Sequence, residues 1–169
     1  MAWAKDSSTT LSSASGTIAS GTITTPHKFN QYLVNIPSKS NINGLNFTFN
    51  SDTSSNYADR NSVNGGSDST STSNGFYYDD ATGGSASGGN ARLQIGYIIN
   101  ISTEEKLGIT FTVDSNGSAS STAPIRSENV GKWSNTSNQI NSWGKNVNQG
   151  VPATATLGID SNLSVLGTD

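Results

Sequence analysis

His27, in the stretch TTPHKFN, is the single histidine of this 169-residue sequence and so its one side chain suited to proton transfer near neutral pH. A nucleophile–histidine–acid relay would have to use it, yet no G-x-S-x-G elbow accompanies it. It follows Pro26 directly before a strand-like run, which reads as a surface turn. The carboxylates come as neighbours, Asp79 with Asp80 and Glu104 with Glu105. Adjacent residues on a strand face opposite ways, so neither pair forms an acid/base couple, and a glycosidase would have to draw carboxylates from separate strands. VDSNGSAS places Asp114, Asn116 and Gly117 like the start of a calcium loop. The twelfth position, however, is Ile125, and the glycine comes fourth rather than sixth. The stretch reads as an Asp-Ser-Asn-Gly turn between strands. Asp52 and Asp59 offer hard oxygen ligands at no spacing that fixes a metal. Cysteine is absent, which removes disulfides and thiolate metal sites. The sequence therefore supplies no catalytic residue, no metal-ligand set and no cofactor motif.

The elements around these residues are strands. Apolar residues recur with period two. Leu45, Phe47 and Phe49 alternate with polar residues in GLNFTFN. Leu93, Ile95, Tyr97, Ile99 and Ile101 point one way in RLQIGYIINI, as do Leu107, Ile109, Phe111 and Val113 in LGITFTV. FNQYLVNI (29–36) is a further strand and GTIASGTIT (16–24) a weaker one. Others lie around NVGKWSN, NQINSW, ATATLGI and LSVLG. Turn clusters such as SKSNING, DSNGSAS and GVP separate them. No window keeps helical spacing, and STEEKLG reads as a hairpin loop between two strong strands. The expectation is an all-β chain of eight to ten short strands, an antiparallel, jelly-roll-like β-sandwich with long polar loops at 51–74 and 79–91. Residues 1–12 read as an N-terminal arm and 13–169 as a single sandwich domain.

Composition narrows the function further. Ser, Thr, Asn and Gly make up about half the chain, only 12% of residues are charged and the net charge is −3. Weak self-repulsion favours a folded but thinly cored domain over a disordered one. Such a domain without disulfides commonly gains stability by oligomerising. Scattered Lys and Arg leave no basic patch for nucleic acid. There is no apolar run of about 18 residues for a membrane helix, and MAWAKDSSTTL lacks the apolar stretch of a secretory signal. GGSDSTSTSNG (65–75) has almost nothing to bury and resembles a linker, so its order must come from what surrounds it. One or both of Trp133 and Trp143, within strand-like runs, are expected in the core. The island FYYDD reads either as a short strand on the sandwich edge or as an exposed aromatic contact for a neighbouring subunit or a sugar. Trp3 on the arm docks on its own core or on a partner. Trp3, Phe76, Tyr77 and Tyr78 are the candidate partner-interface residues.

FTFNSDTSSNYADRNSVNGGSD, INISTEEKLGITFTVDSNGSASSTAPIRSENVGKWSNTSNQI and the closing SVLGTD resemble a group of small virion proteins of tailed bacteriophages, many from marine and freshwater samples. The resemblance covers most of the chain after residue 44, and SDTSSNYADRN lengthens the first loop relative to that group. It implies a non-enzymatic structural protein of the virion, assembled in the host cytoplasm. A capsid decoration (cement) protein is the first expectation: a homo-oligomer, trimer favoured, bound to the major capsid protein and using no cofactor. The alternative is a module associated with a tail protein or fibre, binding host-surface glycan through the aromatic island and Asp79 and Asp80. Neither a nucleic acid nor a membrane is an expected partner.

Overall fold

The computed structural model describes residues 2–40, 45–77, 91–115, 120–147 and 155–169, apart from the side chains of Ser40, Tyr77, Asn146 and Val147. Among these residues the period-two pattern forms fourteen strands and no helix. In chain order they are β1 (Ala4–Thr10), β2 (Thr17–Ala19), β3 (Phe29–Ile36), β4 (Lys39–Ser40) and β5 (Leu45–Phe49). Then come β6 (Tyr57–Val63), β7 (Ser69–Ser73), β8 (Phe76–Tyr77), β9 (Arg92–Ile99) and β10 (Lys106–Asp114). The last four are β11 (Ile125–Trp133), β12 (Trp143–Val147), β13 (Thr156–Leu157) and β14 (Asn162–Thr168). Eight form one sheet in the order β1-β14-β3-β9-β10-β11-β6-β7, and four form a second in the order β2-β12-β5-β8. A short β13-β4 pair completes the set, and every pairing is antiparallel. The molecule is the expected all-β antiparallel sandwich, with layers of unequal width.

Two segments expected outside regular structure lie within the large sheet. The arm carries β1, which pairs with β14 from Ala4↔Gly167 to Thr10↔Asn162, with a bulge between Lys5 and Ser7. The 51–74 loop is largely the β6–β7 hairpin, and the linker-like SDSTSTS supplies β7, the polar edge strand. Asn64 and Gly65, with φ of 53° and 74°, turn the chain there. An Asn-Gly pair at positive φ is a strong hairpin signal. Ladder hydrogen bonds to β6, not apolar burial, hold this edge. The second expected loop, 79–91, lies outside the described residues except for Ala91.

The core sits between the two sheets and is aromatic at one end. Tyr32 of the large sheet packs its ring 4.9 Å from Phe47 and 5.2 Å from Trp143 of the small one. Tyr57 and Trp133 meet Phe49 at 5.9 and 5.8 Å. Both candidate core tryptophans are buried here. Small residues on the large sheet make room for these rings. A Cβ on Gly96 would fall 2.2 Å from Cζ of Tyr32, and one on Gly131 would fall 2.4 Å from Cε1 of Phe76.

Side-chain amides hold the irregular stretch 134–142 against this core. Asn100 donates to the carbonyls of His27 (3.0 Å) and Ile140 (3.1 Å), and its own Oδ1 accepts from the Ile140 amide. Asn50, at φ 53°, donates to Gln139 O at 2.8 Å and accepts from the amides of Asn141 and Ser142. Polar side chains thus satisfy backbone groups that a richer core would have placed in ladders.

Candidate interaction surface

The apolar stripes of β9 and β10 face away from the small sheet. Leu93, Tyr97 and Ile99 on β9, and Leu107, Ile109, Phe111 and Val113 on β10, lie on the outer face of the large sheet. Phe29 and Leu33 of β3 and Val130 of β11 extend the patch sideways. These ten side chains are 38–51% exposed. The ladder registers arrange them in rows: Tyr97 opposite Ile109 opposite Val130, then Leu33 opposite Ile95 opposite Phe111, then Leu93 opposite Val113. The strands pack apolar neighbours on the side with no layer above it.

The inner face of the same strands is the polar one. Arg92, Gln94, Thr110, Thr112, Asp114, Ser127 and Asn129 are all buried against the small sheet. Arg92 donates to Oδ2 of Asp114 through Nη2 at 2.7 Å and Nε at 3.2 Å, and Lys39 Nζ donates to the same oxygen. Lys145 of β12 donates to Gln94 Oε1 at 2.9 Å and lies over the ring of Phe47 at 4.5 Å. Burial pushes the Lys39 ammonium down to about 8, helped by the charge of Arg92 and opposed by its bond to Asp114. Burial, with the charges of Arg92 and Lys39, takes Lys145 well below the usual lysine range. A lysine held unprotonated is a nucleophile where a carbonyl can reach it. Lys145 is walled in by Phe47 and Gln94 with 1% of its surface exposed, so its role here is structural.

A groove of about 1060 Å³ crosses the outer face. Its floor includes Phe29, Tyr97, Ile99, Leu107, Ile109 and Val130, and it runs from Trp3 on one side to Thr70 and Thr72 of β7 on the other. The rim on the β11 and β6 side is charged. Lys132 pairs with Glu105 at 2.9 Å and Arg60 with Asp68 at 3.1 Å, while Arg126 and Glu128 are exposed. On the β3 and β14 side the rim is uncharged, with Gln31, Asn35, Asn162 and Ser164.

Of the four expected interface residues, Trp3 alone is seen at a surface: it is 46% exposed and lines the groove. The island supplies β8, the short edge strand of the small sheet. Phe76 is corrected from the interface to the core, where it is fully buried, 5.3 Å from the Phe49 ring and 5.9 Å from that of Tyr57. Gly131 opposite β8 leaves the space that draws its ring inward. The Tyr77 side chain and Tyr78, with Asp79 and Asp80, lie outside the described residues.

The residues weighed for chemistry are dispersed. His27 Nδ1 meets Asp6 Oδ1 at 2.8 Å between the turn and β1. Glu105 is held by Lys132, and Asp114 is engaged with Arg92 and Lys39 inside the sandwich, unlike a calcium-loop residue. Asp59 accepts from Ser71 Oγ at 2.7 Å, tying β6 to β7. Among the described residues no three His, Cys, Asp or Glu side chains gather to hold a metal ion. Sequence reasoning missed the buried Lys39, Arg92 and Lys145. The available signal was the placing of Arg92, Gln94, Thr112 and Asp114 at alternate positions on neighbouring strands, in line to meet across one face.

No family model matches the sequence, and no curated protein matches it either.

Proposed function

We propose that this chain is a non-enzymatic structural protein of a tailed-phage particle, a capsid decoration protein that binds the shell as a homo-oligomer after assembly in the host cytoplasm. The observation that carries this reading is the outer face of the large sheet. Ten large apolar side chains, each 38–51% exposed, amount to a patch on the order of 900 Å², against about 300–600 Å² for the largest patch of a typical monomer. An exposed apolar patch above that range marks an interaction surface. The stretches FTFNSDTSSNYADRNSVNGGSD and VGKWSNTSNQI add the resemblance to small virion proteins.

The test is to purify particles and digest them for mass spectrometry, then add the protein to shells lacking it. Peptides of this chain in the particle, and shells that withstand higher temperature once it binds, support the proposal. Absence from particles, or no binding to shells, overturns it. The glycan-binding alternative loses Phe76 to the core and keeps Trp3, Phe29 and Tyr97 as exposed rings in a groove otherwise lined mainly by aliphatic and small polar groups, with Asp59, Arg60 and Lys132 at its side. Sugar sites favour stacking rings beside polar groups, so a silent glycan array is the expected result.

A further inference from the structure

We infer that the apolar outer face packs against the same face of a second copy of this chain, each copy setting its Phe111 and Val113 half against the groove half of the other. The inference rests on the reading of the chain as an assembly subunit, and it specifies which surface pairs and with what. Three features of the face point to a second copy as the occupant.

The first is area. A patch on the order of 900 Å² per copy matches the roughly 800 Å² per partner of a standard stable interface. The second is the division of the patch along the strands. Leu107 and Ile109, with Tyr97 and Ile99, lie in the groove, whereas Phe111, Val113, Leu33 and Leu93 are exposed outside it. A surface grooved in one half and open in the other suits a twofold contact, in which each half meets the other half of its partner.

The third is what a twofold axis would bring together. An axis lying in the contact plane, across the strands between the Ile109 and Phe111 rows, exchanges those rows. Phe111 of one copy then faces Ile109 of the other, Val113 faces Leu107, and Leu93 faces Ile99, so apolar meets apolar along both β9 and β10. On β11 the same operation sets Glu128 over Val130, beside Arg60 in that row, and Arg126 over Lys132, whose charge Glu105 offsets at 2.9 Å. Two antiparallel faces stacked this way form an additional sandwich interface, of the aligned kind. The contact closes with two copies, in place of the trimer that the resemblance implies.

Because the chain has no cysteine, cross-linking can read the geometry directly. The full chain is measured by light scattering over a range of concentrations, alone and as Phe111→Asp and Ile109→Asp. Ile109→Cys and Phe111→Cys proteins are then mixed and oxidised. Expected are a mass of two copies and self-association weakened about 100-fold or more by either aspartate, at unchanged circular dichroism since both residues lie on the surface. Ile109→Cys should cross-link to Phe111→Cys in preference to Ser62→Cys. A wild-type monomer, a trimer, or association that survives both aspartates overturns the pairing. So does flotation of the wild type with phosphatidylcholine–phosphatidylglycerol vesicles that Phe111→Asp abolishes, which makes lipid the occupant. Particles that carry the protein as uncross-linked monomers would sink the pairing and leave the virion reading standing. A cross-linked dimer absent from particles would do the reverse.

Discussion

Lys145 donates to Oε1 of Gln94 at 2.9 Å, joining an amine of the small sheet to an amide of the large one inside the sandwich. Folding pushes protons off this lysine and off Lys39, whose ammonium falls from 10.5 to about 8. As pH rises from 8 toward 10.5, the unfolded chain holds more protons than the folded one, so stability increases through that window. Tyr57 acts in the opposite sense. Burial raises its phenol above the usual 10.0, so beyond pH 10 the unfolded chain ionises first and stability declines. The urea midpoint should climb from pH 8 to about 10 and then fall. Lys39→Met and Lys145→Met should each flatten the climb. A wild-type midpoint that is level or declining between pH 8 and 10 contradicts the account.

Trp133 and Trp3 should separate core from surface. Trp133 is 1% exposed, packs between Tyr57 and Phe49, and donates Nε1–H to Asp52 Oδ2 at 2.7 Å. Its replacement by alanine should cost about 3–5 kcal/mol. Trp3→Ala should leave monomer stability within about 0.5 kcal/mol and reduce self-association. Chemical denaturation of both proteins at low concentration makes the comparison, and equal midpoints would refute it.

Asp52 fastens the loop between β5 and β6. Its carboxylate accepts from the Ser54 amide at 2.9 Å, Asn56 Nδ2 at 2.9 Å and Trp133 Nε1, while its carbonyl accepts from the Tyr57 hydroxyl at 3.0 Å. Burial would raise this carboxyl, but the bonds from Asn56, Trp133 and Ser54 outweigh it and hold the pKa below the ordinary 3.8. The stabilisation is therefore complete above pH 3.8 and is lost as pH falls through the lower folded value. Asp52→Ala should cost roughly 2–3 kcal/mol, since it removes charge-assisted bonds and strands a buried indole N–H. A red-shifted Trp133 emission would report the opening of that site. An unchanged midpoint at pH 7 would show that the loop holds without it.

Much of this architecture is legible in the residue order. Alternation in FNQYLVNI, RLQIGYIINI and LGITFTV places three central strands, and GLNFTFN gives β5 its apolar positions. Period two tells which side chains share a face; it does not tell which face another layer covers. That depends on where β5 and β12 deliver Phe47, Phe49 and Trp143, a long-range fact no window contains. The β6–β7 hairpin was readable at Asn64-Gly65, but the all-polar STSTS beside it obscured the signal, because edge strands need no apolar side. Phe76 was misleading for a related reason: the glycine that makes room for it, Gly131, lies 55 positions away.

Gly96 offers a steric test of the Tyr32 packing. The Tyr32 hydroxyl bonds to Thr110 Oγ1, which fixes the ring over the glycine on the neighbouring strand. The ring cannot withdraw without breaking that bond. Gly96→Ala should therefore destabilise by about 1–3 kcal/mol, the range for overpacking a filled core. Gly96→Ala combined with Tyr32→Phe should be less than additive, because the freed ring can shift. Thermal denaturation of the two single variants and the double variant reads the coupling, and strict additivity would count against the contact.

The N-terminal strand provides the last test. β1 buries no apolar side chain, but it pairs with β14 from Asn162 to Gly167, and Asp6 accepts from Asn30 Nδ2 at 3.1 Å while meeting His27 at 2.8 Å. Removing residues 1–10 leaves NLSVLGT as an open sheet edge with its backbone groups unpaired. The truncated protein should melt several degrees lower and aggregate on heating, with β14 amides losing hydrogen-exchange protection ahead of those of β10. A free arm would predict an unchanged melting temperature and unchanged protection in β14, with only attachment to the partner affected. The second pattern would mean that β1 is not part of the folded sheet in solution.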